Sequence, residues 1–384
     1  MRGYDVVVLE EHPHIGTPCH CSGLVTPRTL DVADVGADII SNAIRGALIH
    51  LPGRQPLTVG GDRVHGYVID RTVLDRRLAD QAQVAGAGVL HQTRFLSFER
   101  IPPGGIARQG ELRIHATREG TPLTIRARLL VGADGARSRV AQQLRRSSPT
   151  GTVVGLGALA EYDRNPKHDH VEIFLDPHSA PGWFGWTIPL ADGMARLGTG
   201  SAHGIKPRDS FRRLRHAFPA TFGAARVHSY SGGLIALWQP TDMTADNVML
   251  VGDAARQVKP MSGGGIHAAL RAASMAARVA DEAIQRGDLS RRSLRAYPRD
   301  WHGSLGRELR RQHDMRRVFE RLTERDMVQI IELLDDGAVR DAIDEVADID
   351  FPSRLVARVG FRQPRLALRL LRLPRFPLAW LPGG

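Results

Sequence analysis

Three stretches of the chain predict an α/β fold: a Rossmann-like domain, interrupted by an inserted antiparallel β-sheet and followed by a helical region. In residues 249–277 the apolar run Met249–Val251 leads into Gly252-Asp253, a loop through Pro260, three glycines and an alanine-rich helix. In residues 129–140 a second apolar run ends in Gly132-Ala133-Asp134-Gly135. Between these two lies 151–245, rich in strand formers with Gly and Pro punctuation and holding no nucleotide motif.

Taken in order, the chain opens with Tyr4-Asp5-Val6-Val7-Val8-Leu9-Glu10, an apolar run closed by an acid that reads as a buried parallel strand. In a dinucleotide-binding fold the acid ending the second strand accepts hydrogen bonds from an adenosine ribose, and Glu10 is the candidate. The first strand and G-x-G-x-x-G loop of such a fold are not found in the sequence. Met1-Arg2-Gly3 stands where the first helix would end, so roughly 25–30 residues of a βαβ unit are missing. The expectation is a miscalled start, the alternative a truncated product, with a central sheet lacking its middle strand. Residues 71–85 read as a helix opened by Arg71 and Asp75, with Arg71 either facing a ligand or simply solvated. Residues 89–130 alternate as strands, with Arg118-Glu119-Gly120-Thr121 a hairpin turn. Beyond 286 the chain turns helical and charged.

At 249–277 the local chemistry is specific. A carboxylate ends a strand, bare backbone follows, and a helix N-terminus aims unpaired N–H groups at whatever sits there. That suits a polyol beside an electron-accepting ring: Asp253 for a hydroxyl, the Gly263, Gly264 and Gly265 amides for negative charge. The plain alternative is a strand-to-helix crossover whose glycines serve packing.

Composition bounds the partners. With 384 residues and 42% hydrophobic content, the chain can bury a large core. The formal net charge of +11, carried mostly by arginine, favours anionic partners. Nucleic acid is not expected, because no helix-turn-helix, zinc-finger or aromatic RNA-binding pattern occurs. Two cysteines, Cys19 and Cys21, are too few for a disulfide framework, and a cytoplasmic location is the expectation. His12, His14, Cys19, His20 and Cys21 crowd together without zinc-finger spacing, so no metal is expected.

The segments at 249–277 and 129–140 resemble the ribityl-binding and Asp-Gly motifs of flavoproteins of the p-hydroxybenzoate hydroxylase type. Residues 181–200, PGWFGWTIPLADGMARLGTG, narrow the resemblance. Pro181, Phe184, Trp186 and Pro189, with Gly198-Thr199-Gly200, resemble the P-x-x-Y-x-W-x-F-P…G-x-G signature of the geranylgeranyl reductase family. Phe184 replaces the tyrosine of that signature and Ile188 the phenylalanine. Cys21-Ser22-Gly23-Leu24-Val25 resembles the family's C-[SA]-G-L-V segment.

The resemblance implies an FAD-dependent reductase of isolated polyprenyl double bonds. FAD would be held by Glu10, Arg71, Asp134 and Gly135, and by Gly252, Asp253, Pro260 and Gly263–Gly265. Trp183, Phe184, Trp186, Ile188 and Pro189 would grip the isoprenoid, and π faces tolerate developing positive charge on carbon. Cys21 is the candidate proton source, since a thiol titrates within reach of neutrality; the plain reading of a free cysteine is a small buried hydrophobe. The FAD-binding domain would comprise 1–45, 66–150 and 246–286, the substrate domain 46–65 and 151–245, and the helical region 287–384. An aromatic hydroxylase on the same scaffold and a flavin-free lipid-binding remnant are the rivals. The external electron donor, NADPH or ferredoxin, and the oligomeric state stay open.

Arg354 to Gly384 contains seven arginines and no acids among Leu, Phe and Trp380, interrupted by Pro364, Pro374 and Pro377. Such a mixture suits an anionic membrane surface, so peripheral attachment is the expectation, with a surface helix packed on the catalytic domain as the alternative.

Overall fold

A computed structural model describes residues 3–102, 110–144, 151–162, 167–202 and 204–362, with the side chains of 360–362 left aside. Among the described residues the strands form five sheets. The parallel strands of the first domain fall into two of them. Val7–Leu9 pairs with Gly88–Leu90, and Leu130–Gly132 pairs with Val248–Leu250. The opposite edges of Val7–Leu9 and Leu130–Gly132 carry no strand among the described residues. The opening strand therefore departs from the buried expectation: Val6, Val7 and Val8 are 47%, 45% and 42% exposed, and Val131 is 45% exposed. One edge is unpaired among the described residues, and these side chains stay partly exposed.

Behind these sheets the helix Ile266–Arg286 lays Ala268, Ala272, Ala276, Val279 and Ala283 on one buried face, against a core containing Val248–Val251. It ends at Gly287, whose φ of 64° gives a left-handed cap that a Cβ would disfavour. Six further helices follow, and two of them bury Tyr297, Trp301, Leu305 and Leu309 in the same core. At about 1.5–3 kcal/mol per large apolar side chain, that burial joins the C-terminal region firmly to the first domain.

The hairpin forms where the turn residues place it. Glu111–Arg118 and Thr121–Ala127 pair antiparallel across Glu119 and Gly120, both with positive φ. On the first strand Leu112, Ile114 and Ala116 are buried, a period-2 face packed on Phe98 and Val140.

The inserted region builds a seven-stranded sheet. From one edge its order is Arg226–Ala236, Thr152–Glu161, Met194–Ser201, Gly185–Pro189, His170–Phe174, Gly46–His50 and Leu57–Gly60. The sheet is not wholly antiparallel, as the sequence led us to expect: His170–Phe174 runs parallel to Gly46–His50. These two strands come from segments more than a hundred residues apart, so no hairpin dictates their direction. One face packs on the helix Pro207–Ala217 through Phe174, Leu197 and Leu214. The other faces the first domain. A small sheet of Leu24–Val25, Gly66–Ile69 and Ile40–Ile44 joins the two regions.

Candidate active site

A continuous cavity of about 1160 Å³ lies between the two regions. Glycine loops, the Cys21 turn, the open face of the seven-stranded sheet and the end of the C-terminal region all contribute to its wall.

The loop after Val248–Leu250 is fixed by its own polar side chains. Gln257 accepts from the Gly252 N–H at 2.7 Å and donates to the Tyr297 hydroxyl at 2.8 Å, which in turn donates to Leu250 O. The buried Arg256 donates to Leu237 O and Gly151 O. The turn thus held presents Asp253 to the cavity. Burial pushes the Asp253 carboxyl above its usual range, an effect that Arg71 and Arg256 partly offset. No side-chain hydrogen bond to Asp253 is formed among the described residues, so it is poised to accept hydroxyl donors.

Of the three glycines, Gly263 spends its N–H on Lys259 O at 2.9 Å, which corrects the expectation that all three amides serve a ligand. A Cβ on Gly264 would lie 2.8 Å from Lys259 Cε, and one on Gly265 3.3 Å from Asp253 Oδ1. Only bare backbone fits between the carboxylate and the lysine stem.

Helix Arg71–Val84 is capped by Asp70, whose side chain accepts from the N–H groups of Thr72 and Val73. This cap turns Arg71 into the cavity, where it donates to Asp75 at 2.7 Å. Burial would depress the Arg71 guanidinium, but Asp75 and Cys21 outweigh it and leave it above its ordinary value. Arg71 thus lies at the cavity wall rather than fully in solvent. Cys21 is half-buried at the same wall, and its Sγ accepts from the Gly23 N–H at 3.3 Å. Glu10 also reaches the cavity, accepting from the His12 N–H at 2.8 Å. No cluster of three His, Cys, Asp or Glu side chains arranged for a metal occurs among the described residues.

Opposite lies an aromatic layer on a glycine floor. Trp186 lies against Gly198, where a Cβ would come within 2.2 Å of its ring, and Trp183 lies against Gly200 at 2.6 Å. Trp183 stacks on Phe184 at 5.0 Å, and Phe184 meets Trp186 edge-on at 6.0 Å. The G-x-G of the strand Met194–Ser201 thus makes room for two indoles, and Gly155 and Gly157 on the adjoining strand continue the floor. Ile188 extends the apolar wall.

Five expected residues lie outside the cavity lining. The Asp134 carboxylate caps its own helix, accepting from Ser138 Oγ and from the N–H groups of Arg139 and Val140. Gly135, with φ of 74°, makes the turn that allows this. Gly252 backs Asp253, Pro260 gives its carbonyl to Arg316 at 3.4 Å, and Pro189 gives its carbonyl to Asn42 at 3.1 Å. Among the cavity residues that escaped the sequence reading, Lys259, Asp350 and Arg196 stand out. Lys259 pairs with the buried Asp350 at 2.8 Å, bringing the C-terminal region to the glycine loop, and Arg196 reaches under Gly23. A lone Arg, Lys or Asp in a polar or alternating stretch carries no signal of this kind; only the tertiary fold brings them together. The C-terminal tail beyond 362, including Trp380 and its prolines, lies outside the described residues.

The residues present fit FAD. A desolvated carboxylate beside bare glycine backbone suits a ribityl chain, a second acid lines the same cavity, and two amides of the glycine loop stay available. Comparison with known proteins agrees. Residues 2–302 match the FAD-binding-domain family. The chain is 31% identical over 340 residues to digeranylgeranylglycerophospholipid reductase of Methanothrix thermoacetophila, covering 86% of this chain and 85% of that one. It is 30% identical over 351 residues to digeranylgeranylglycerophospholipid reductase 2 of Methanopyrus kandleri, covering 87% and 85%. Its fold is similar to that of a geranylgeranyl bacteriochlorophyll reductase-like protein from Thermoplasma acidophilum, with a TM-score of 0.79 at 22% identity, covering 97% and 94%.

Proposed function

Because the chain belongs to the geranylgeranyl reductase family and is an FAD-dependent oxidoreductase, we propose that it saturates isolated C=C bonds in the polyprenyl chains of a lipid. The observation that carries this reading is the single cavity in which Asp253, Gly264 and Gly265, the Cys21 turn and the aromatic strand Gly185–Pro189 meet. An isolated alkene has no carbonyl to polarise, so a hydride and a proton must reach adjacent carbons. Bound FAD, once reduced, supplies the hydride.

The chain supplies the rest. Trp186, Phe184 and Ile188 hold the isoprenoid in a fixed pose and keep water from the reacting carbons. The π faces of Trp186 and Phe184 stabilise positive charge that develops on the more substituted carbon. Cys21 holds the proton at Sγ for the second carbon, with the Arg71 guanidinium beside it at the cavity wall. Attachment to an anionic membrane surface belongs to the same proposal; it rests on the basic and apolar residues of 354–384, and no helix among the described residues is long and apolar enough to cross a membrane.

Anaerobic incubation with dithionite and a digeranylgeranylglycerophospholipid tests the reading. Mass spectrometry is expected to show a gain of two hydrogens per reduced double bond. Unchanged lipid, with oxygen-dependent hydroxylation of phenols instead, would sink it.

A further inference from the structure

From the contact between Arg196 and the Cys21 turn we infer that Arg196 is a positioning residue, a clamp through which the substrate sheet sets the place of the Cys21 thiol; this rests on the reductase reading above. Arg196 lies on the cavity face of the strand Met194–Ser201, two residues before Gly198 and paired with Ile188 on the neighbouring strand. A guanidinium in that apolar wall is costly to desolvate, and no ion pair offsets it among the described residues. Instead its Nη1 donates to Ser22 O at 2.8 Å and to Ile69 O at 3.2 Å. Those carbonyls sit on either side of Gly23, itself tied to the small sheet by the Ile69 N–H donating to Gly23 O at 2.9 Å.

Gly23 makes the clamp feasible. Its φ of 77° is left-handed, and a Cβ there would lie 2.1 Å from Arg196 Nη1 and 2.6 Å from Ile69 O. The same glycine donates its N–H to Cys21 Sγ at 3.3 Å. One guanidinium therefore fixes Ser22 and the turn at Gly23, and that turn fixes the thiol. Ile69 stands two residues before Arg71, so the clamp also locates the start of the helix whose arginine flanks Cys21. The cationic fork faces the cavity while its bonds go to backbone, which is the arrangement of a positioning group.

The test uses the full chain in a Cys19→Ser background, where Cys21 is the sole thiol. Iodoacetamide alkylation of the folded holoprotein, followed by mass spectrometry, is compared for Arg196, Arg196→Lys and Arg196→Met. We expect the Met variant to change the Cys21 alkylation rate by about tenfold, the Lys variant to fall between, and flavin content to stay the same. In turnover of digeranylgeranylglycerophospholipid with dithionite, Arg196→Met is expected to lower kcat about tenfold with KM little changed, and to add nothing in a Cys21→Ser background.

An unchanged alkylation rate in folded Arg196→Met protein would overturn the clamp. So would losses that multiply with Cys21→Ser. A rise in KM confined to phosphate-bearing lipids, with alkylation unaltered, would instead make Arg196 a substrate anchor and equally overturn it. If Arg196→Met does not fold, the Lys variant carries the same comparison. The alkylation arm needs no turnover, so failure of the clamp and failure of the reductase reading are distinguishable.

Discussion

Asp253 shows how much of the site one residue carries. Its place after an apolar run and before bare glycines made it legible in the sequence, and the structure adds that it is desolvated next to Arg71. An acid whose folded pKa is raised binds its proton more tightly in the folded state than in the unfolded one. The flavin-free protein is thus expected to lose stability as pH rises through the interval from the ordinary carboxylate value of 3.8 up to the raised one. Asp253→Asn removes that loss while deleting an anionic acceptor. Urea titrations of flavin-free protein at pH 4 and pH 7 should show a smaller difference in the variant than in the parent, and flavin affinity should fall by about 10- to 100-fold. An unchanged flavin affinity would take Asp253 out of the cofactor site. Gly198 makes a second case. Gly198→Ala forces a Cβ to within 2.2 Å of the Trp186 ring and 2.8 Å of Leu156 O. Overpacking of this kind costs about 1–3 kcal/mol, and the displaced indole should raise KM for a polyprenyl lipid while leaving the flavin spectrum as it was. The G-x-G motif announced the importance of this glycine; that its partner is an indole needed the fold.

At the scale of elements, the C-terminal segment around Asp350 is part of the cavity rather than an appendage. Asp350 is 4% exposed, accepts from Lys259 and Thr26, and lies opposite the glycine loop. Burial works to raise its carboxyl, yet Lys259 and Thr26 hold it below the ordinary value. Its stabilising effect is therefore present above pH 3.8 and is lost as pH falls through the depressed folded value. Removing one partner strands the other, so Asp350→Asn is expected to cost about 3–5 kcal/mol by denaturant unfolding, and Lys259→Met with Asp350→Leu to recover most of it. A single variant as stable as the parent would show that the segment is not anchored there. Local patterns made the hairpin at Glu119-Gly120 and the helix from Arg71 legible. The parallel pairing of Gly46–His50 with His170–Phe174 was not, because strand order depends on crossovers that no local pattern records. The Lys259–Asp350 contact was hidden for the same reason, being 91 residues apart in the chain. Asp134 shows the reverse case. Its motif was visible, but an acid five residues before a helix-start N–H also makes a cap, and in this structure it does.

For the whole molecule, the sequence conveyed an α/β cofactor domain divided by a sheet domain and followed by helices, because glycine-acid turns and alternating strands are local signals. Burial of the opening strand was misjudged, since it depends on a neighbour on each edge and only Gly88–Leu90 is present among the described residues. The proposed function requires that one cavity join a reducible flavin to a polyprenyl chain. Its most direct test is the visible spectrum of the purified 384-residue protein, reduced without oxygen and then mixed with digeranylgeranylglycerophospholipid. If the flavin passes its hydride to the lipid, the oxidised flavin band returns in the absence of oxygen, in proportion to the double bonds reduced. A band that stays bleached until oxygen is admitted would contradict it.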